Sequence, residues 1–230
     1  MVTKADPQAQ PTAVLFSAGL DSAVLAAEAA QRWIVQPLYV SVGLAWEREE
    51  LAMASKLLAA SLFETRVRPL VRLQFDMRDV YSPSHWAIRG EAPAYDTPDE
   101  DVYLEGRNIV LLAKACVYMA REKIETILIG PLAGNPFPDA SAQFFDNMER
   151  ALSIGLASPI RIEAPFSNMH KGDVVRRGAA LGVPFELTLS CMQPSAGMHC
   201  GRCSKCRERR DGFAEAGIED PTRYAIAPAR

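Results

Sequence analysis

The chain has 230 residues, 49% of them apolar and 23% charged, with a formal net charge of −3. That length holds one cored domain plus a smaller addition, and the composition excludes disordered, collagenous and coiled-coil architectures. Without a basic excess no stable nucleic-acid partner is expected. With no apolar run of about 18 residues, no membrane span is expected either.

Residues 1–11 are polar, with two prolines, and read as a loose tail. The segment Met1 to Pro7 lacks the apolar stretch of a signal peptide, so a cytoplasmic location with reduced thiols is expected. Thr12 to Ser17 is a short apolar run and predicts a buried strand. Asp21 to Trp33, rich in alanine, predicts a buried helix. Val35 to Val42 predicts a second strand with Pro37 near its start, and Trp46 to Leu62 a helix. Val67 to Phe75 predicts a third strand. Residues 76–104 form the longest stretch without a clear period, where His85 and Trp86 either close a lid or pack a loop. Arg107 to Arg121 predicts a helix, Thr126 to Gly130 a fourth strand, and Ala142 to Ile154 a helix after a Gly/Pro loop. Ile160 to Ala164 predicts the fifth strand, and Lys171 to Leu181 a helix closed by Gly182. Strands alternating with helices predict an α/β fold with a doubly wound, mostly parallel sheet. Ligands in such sheets sit beyond the carboxyl ends of the strands, here after Phe16, Val42, Gly130 and Ala164.

Two stretches carry chemistry. In Ser17-Ala18-Gly19-Leu20-Asp21-Ser22 a strand runs through small residues straight into a helix, whose first amides have no internal partner. Phosphate binds readily there, Ser17 and Ser22 add hydroxyls, and Asp21 can help hold magnesium. Ordinary helix capping by Asp or Ser is the plainer reading of the same residues. The second stretch holds Cys191, Cys200, Cys203 and Cys206, whose spacing lets four thiolates close around one zinc ion in a structural site. His199 is not needed as a ligand, and Cys116, in an apolar helical stretch, reads as an inert core thiol. Arg202, Lys205, Arg207, Arg209 and Arg210 give the last cysteines a basic surround, read as a solvated helix with arginines near polyphosphate.

SAGLDS resembles the SGGxDS loop of the ATP-pyrophosphatase (PP-loop) superfamily, whose members cleave ATP between the α and β phosphates. Ala18 stands where that pattern has glycine, and we expect a negative φ there. The run from Cys191 to Tyr224, with CGRCSKCRERRDGFAEAGIEDPTRY, resembles the C-terminus of the 7-cyano-7-deazaguanine synthases. Gly106-Arg107-Asn108, Glu163 to Phe166 with Lys171, and Glu186 to Cys191 resemble further elements of that family.

The resemblance implies an adenine nucleotide alpha-hydrolase-like domain over 1–186 and a zinc-binding helical segment over 187–230. It implies a cytoplasmic homodimer and a ligase that uses ATP, magnesium and ammonia on a deazapurine carboxylate, passing through an acyl adenylate and an amide to a nitrile. Ser17, Ala18, Gly19, Leu20, Asp21 and Ser22 would hold pyrophosphate, with Lys171 reaching the same phosphates and Tyr39 and Val40 reading adenine through their backbones. Arg107 would hold phosphate or the substrate carboxylate. Phe137 would stack on the substrate ring and Asp139 accept from its N–H groups, unless Asp139 caps the helix at residue 142. The stretch 137–144, with its altered residues 140–143, lacks the family's cysteine, arginine and glutamate, and Gly43-Leu44-Ala45 lacks the Gly-Gln that follows the second strand in relatives. Other outcomes are a related enzyme that stops at the amide or adenylates another acid, and a weakened nucleotide-binding protein.

Overall fold

The computed structural model describes residues 11–226. Five parallel strands, β1 (Thr12–Leu15), β2 (Val35–Ser41), β3 (Val71–Gln74), β4 (Thr126–Leu128) and β5 (Arg161–Glu163), lie in the order β3-β2-β1-β4-β5. The doubly wound α/β sheet is therefore present as expected. Its first three strands build outward to one side of β1 and the last two to the other, which puts the switch point between β1 and β4.

Helices cover both faces, and β1 shows why both must be apolar. Val14 points into a core shared with α1 (Leu20–Ala29), α2 (Glu47–Leu58), α6 (Lys171–Leu181) and α7 (Ser204–Ala216). Ala13, its neighbour, points into a second core with α4 (Arg107–Glu122) and α5 (Ala142–Leu156). The buried face of α4 is Leu112, Ala115, Cys116 and Met119, a spacing of three, one and three that only a helix turns to one side. Within the stretch 76–104 a short helix, α3 (Trp86–Arg89), forms, capped at its start by His85 Nδ1, which accepts from the Ala87 N–H. Pro37, third residue of β2 and so near its start as expected, breaks no rung. Its nitrogen faces the β3 side, two residues before Tyr39, where β3 has not yet begun.

Candidate active site

Beyond the carboxyl ends of β1, β2 and β4 lie two adjoining cavities, of about 290 Å³ and about 260 Å³. They share a wall that includes Ser17, Gly19, Asp21, Glu50, Arg107 and Phe137. The first turn of α1 faces this wall. Its N-cap is Gly19, and no side chain caps it. The capping reading of Asp21 and Ser22 is thus set aside, and the leading amides remain for a ligand.

Inside the loop the hydroxyls brace the backbone. Gly19 N–H donates to Ser17 Oγ at 3.3 Å, Ser17 N–H to Ser22 Oγ at 3.4 Å, and Ser22 Oγ–H to the Gly19 carbonyl at 3.1 Å. Gly19 itself is ordinary, with φ −62°. The left-handed residue is Ala18, at φ +58°, which overturns the expectation of a negative φ. Its buried carbonyl accepts from Leu189 N–H at 2.8 Å, so the turn is tied to the segment leading into Cys191. That tie holds the alanine in a region costing about 1–2 kcal/mol.

Lys171, first residue of α6, places Nζ 2.9 and 2.6 Å from the two Asp21 carboxylate oxygens and 2.5 Å from Glu208 on α7. Lys205 holds the other oxygen of Glu208 at 2.5 Å. Burial opposes the charge on Lys171, but Asp21 and Glu208 outweigh it and the ammonium is held above its ordinary range. Two lysines are thereby gathered at the second cavity beside the phosphate loop. Asp21 offers hard oxygen donors suited to magnesium, and in this structure both accept from Lys171.

The end of β2 opens onto the first cavity. Phe16 N–H donates to the Leu38 carbonyl, the last rung between β1 and β2, whereas the Ser41 carbonyl turns the other way and accepts from Phe75. Backbone groups alternate along a strand, so Tyr39 faces β3 and Val40 faces the side that β1 has vacated. Of the two residues expected to read adenine, Val40 has the free backbone edge. Tyr39 contributes through its side chain, donating to Glu50 Oε2 at 2.7 Å.

Arg107 opens α4 after left-handed Gly106 (φ +71°), and its Nε is buried without a partner. A cation at a helix N-terminus is disfavoured unless an anion lies near, and Arg107 lines both cavities. Asp139, 5% exposed, lines the first cavity and does not cap α5. Ser141 caps α5, accepting from Phe144 N–H. Asp139 is consumed by α4 instead: Oδ2 accepts from Asn108 N–H at 2.9 Å, and Asn108 Nδ2 returns a bond to the Asp139 carbonyl at 3.0 Å. Burial raises its pKa, with the Asn108 amide and Arg107 opposing. Phe137 stacks on Tyr103 with centroids 5.0 Å apart, and Trp46 stacks on Trp86 at 5.8 Å along the second cavity.

The four cysteine sulfurs lie within 4.8 Å of one another, all buried, with recorded separations of 3.9, 3.9 and 3.5 Å. Metal–sulfur bonds of about 2.3 Å in a tetrahedron require sulfurs roughly 3.8 Å apart, so the cage fits one zinc ion. Gln193 and Cys200 amides donate to Cys191 Sγ, and the Arg202 amide to Cys200 Sγ, as suits thiolates. His199 stays outside the set: its Nε2 accepts from Ser190 N–H, and burial, with Arg209 adding to it, depresses its pKa to about 3. Cys116 is a core thiol that burial pushes up to about 12.

The reading of α7 as a solvated basic helix is corrected by Arg209, 1% exposed. Its guanidinium donates to Thr222, Thr188 and the Phe185 carbonyl at 2.6–2.8 Å, and its neighbour Arg210 lies over the Tyr224 ring. Three site residues escaped the sequence reading. Lys205 and Glu208 were legible only as members of a basic helix. Glu50 carried a signal that went unread: it falls with Met53, Ala54 and Leu57 on the buried stripe of α2, where a carboxylate is out of place.

Comparison with known proteins agrees with this geometry. The family model described as "Queuosine biosynthesis protein QueC" matches residues 12–217. The chain is 34% identical over 234 residues to the 7-cyano-7-deazaguanine synthase of Anaeromyxobacter dehalogenans, covering 97% of this chain and 100% of that protein. It is 35% identical to the Thiobacillus denitrificans synthase, over 92% of this chain and 97% of that one. A shorter match, 42% over 126 residues, reaches the Methanoculleus marisnigri synthase and covers 53% of this chain and 56% of that one. With the doubly wound sheet, the phosphate-type loop and the four-cysteine cage all in place, the chain belongs to the QueC family of queuosine biosynthesis, the 7-cyano-7-deazaguanine synthases.

Proposed function

We propose that this chain is an AMP-forming, ATP-dependent ligase of the cytoplasm that converts 7-carboxy-7-deazaguanine and ammonia to 7-cyano-7-deazaguanine. The observation that carries the reading is the shared wall: an uncapped helix start and Arg107, whose Nε is buried without a partner, meet where two cavities join, and Lys171 and Lys205 line the second cavity beside them.

A carboxylate is inert to ammonia until its oxygen is converted into a leaving group. The nucleotide is read with its base at the Val40 edge and its outer phosphates on the amides of residues 19–22. Lys171 and Lys205 then neutralise the departing pyrophosphate. Arg107 meets the acid and the α-phosphate, which relieves its stranded Nε. Phe137, Trp46 and Trp86 supply apolar walls for a planar base. Positioning and charge neutralisation carry the rate here. Magnesium would be held by Asp21 and supplies charge neutralisation on the phosphates. Zinc would be held by Cys191, Cys200, Cys203 and Cys206 and supplies a cross-link for the last segment.

Mass spectrometry of a mixture with magnesium-ATP, ammonia and 7-carboxy-7-deazaguanine tests this. The nitrile, AMP and pyrophosphate are expected. Amide as the end product would make this an amide-forming relative, and ADP with phosphate would overturn the reading.

A further inference from the structure

Adenylation consumes no proton acceptor, but the step after it does, because ammonia that has formed a bond to carbon must shed a proton. The acidic groups around the cavities can be taken in turn. Asp21 and Glu208 are neutralised by Lys171 and Lys205. Asp139 accepts from Asn108 through both oxygens and lines only the first cavity. Glu47 is occupied by the Val42 and Gly43 amides and by Ser41 Oγ.

Glu50 remains. It is 8% exposed, lines both cavities, and takes part in none of those ion pairs. Tyr39 O–H holds one of its oxygens at 2.7 Å and Trp46 Nε1–H the other at 3.2 Å, which orients the carboxylate with neutral donors and leaves further lone pairs. A buried carboxylate whose hydrogen bonds come from neutral donors is costly to keep even with the Arg107 charge acting on it, and the shared wall is where an acyl adenylate would set its anhydride.

We propose that Glu50 accepts the proton lost by ammonia as it displaces AMP from the acyl adenylate. The new bond joins nitrogen to the carbonyl carbon, and the bond from that carbon to the anhydride oxygen breaks, its electron pair leaving on AMP. One N–H proton passes to a Glu50 oxygen, and the products are amide, AMP and the protonated carboxyl. Burial raises Glu50 from 4.5 to about 7, against Arg107 of α4 and the Tyr39 and Trp46 donors, with Glu47 adding to the rise. Such a group suits proton transfer at neutral pH. The proposal rests on the adenylating reading above, and the test separates the two.

Two rates are measured on the zinc-loaded enzyme: ATP–pyrophosphate exchange with the acid and no ammonia, and amide release with ammonia across pH. In Glu50→Gln the ratio of amide release to exchange is expected to fall on the order of a hundredfold. The extra proton dependence of the ammonia step below about pH 7 should vanish with it. Glu50→Asp should restore part of that pH dependence, and hydroxylamine, much less basic than ammonia so that its acyl adduct sheds its proton to water, should recover product as the hydroxamate in Glu50→Gln. An unchanged ratio and pH profile in Glu50→Gln would overturn the proposal. So would an equal fall in both rates that Glu50→Asp does not separate. Lack of exchange in the wild type would overturn the adenylating reading itself, and this proposal with it.

Discussion

Ala18 and Glu50 are the two residues that the fold holds against their own preferences. Ala18 sits at φ +58° because its carbonyl must reach Leu189 while Gly19 starts the helix. Replacing it by glycine removes the Cβ clash, partly offset by the greater freedom of glycine in the unfolded chain. Ala18→Gly should therefore stabilise the protein by about 0.5–1 kcal/mol and raise Tm by roughly 1–4 °C, read by thermal melting. Glu50 binds its proton more tightly folded than unfolded, with about 7 against 4.5. Stability attached to it is present at pH 4.5 and below, and is lost as pH rises toward 7, by up to roughly 3 kcal/mol. Glu50→Gln, which cannot ionise, should out-melt the wild type at pH 8, and the gap should close near pH 4.5.

The start of α4 shows how an element can be aimed by a distant residue. Asp139, thirty-one positions beyond Asn108, accepts the Asn108 amide and so acts as an N-terminal cap supplied from another segment. Arg107 precedes Asn108 directly, so the same bond sets where its guanidinium emerges between the cavities. Asp139→Ala should cost about 1–2 kcal/mol in urea denaturation, as loss of a cap does. It should also lower kcat/KM for ATP by roughly tenfold in steady-state kinetics, because a displaced arginine no longer meets the phosphates in place.

Across the molecule, α7 joins the four-cysteine cage to the turn that opens α1. Cys203 precedes it, Cys206 lies in its first turn, and Glu208, paired with Lys205 on the same helix, reaches Lys171 of the Lys171–Asp21 pair. Arg209 anchors it to the segment that starts at Phe185. Chelation of zinc at neutral pH should thus lower Tm and abolish pyrophosphate exchange together. One equivalent of metal should be released per chain, and both properties should return on adding zinc. Release without loss of exchange would show the cage to be independent of the phosphate site.

The sequence by itself determined the order of strands and helices, the small-residue turn that opens α1 without a side-chain cap, and the gathering of four cysteines. Hydrophobic period, cap residues and cysteine spacing act over a few neighbours, so they survive in one dimension. The helix Lys171–Leu181 emerged with its expected ends, because Gly182 at φ +75° stops it locally. What only the tertiary structure decided was the partner of each polar side chain. Asp139 turned to α4 rather than α5, Arg209 went inward, Tyr39 gave its hydroxyl to Glu50, and Lys171 met an aspartate 150 positions away. A charged group buried in the fold takes whichever partner the packed elements bring within about 3 Å, and chain separation holds no record of that distance.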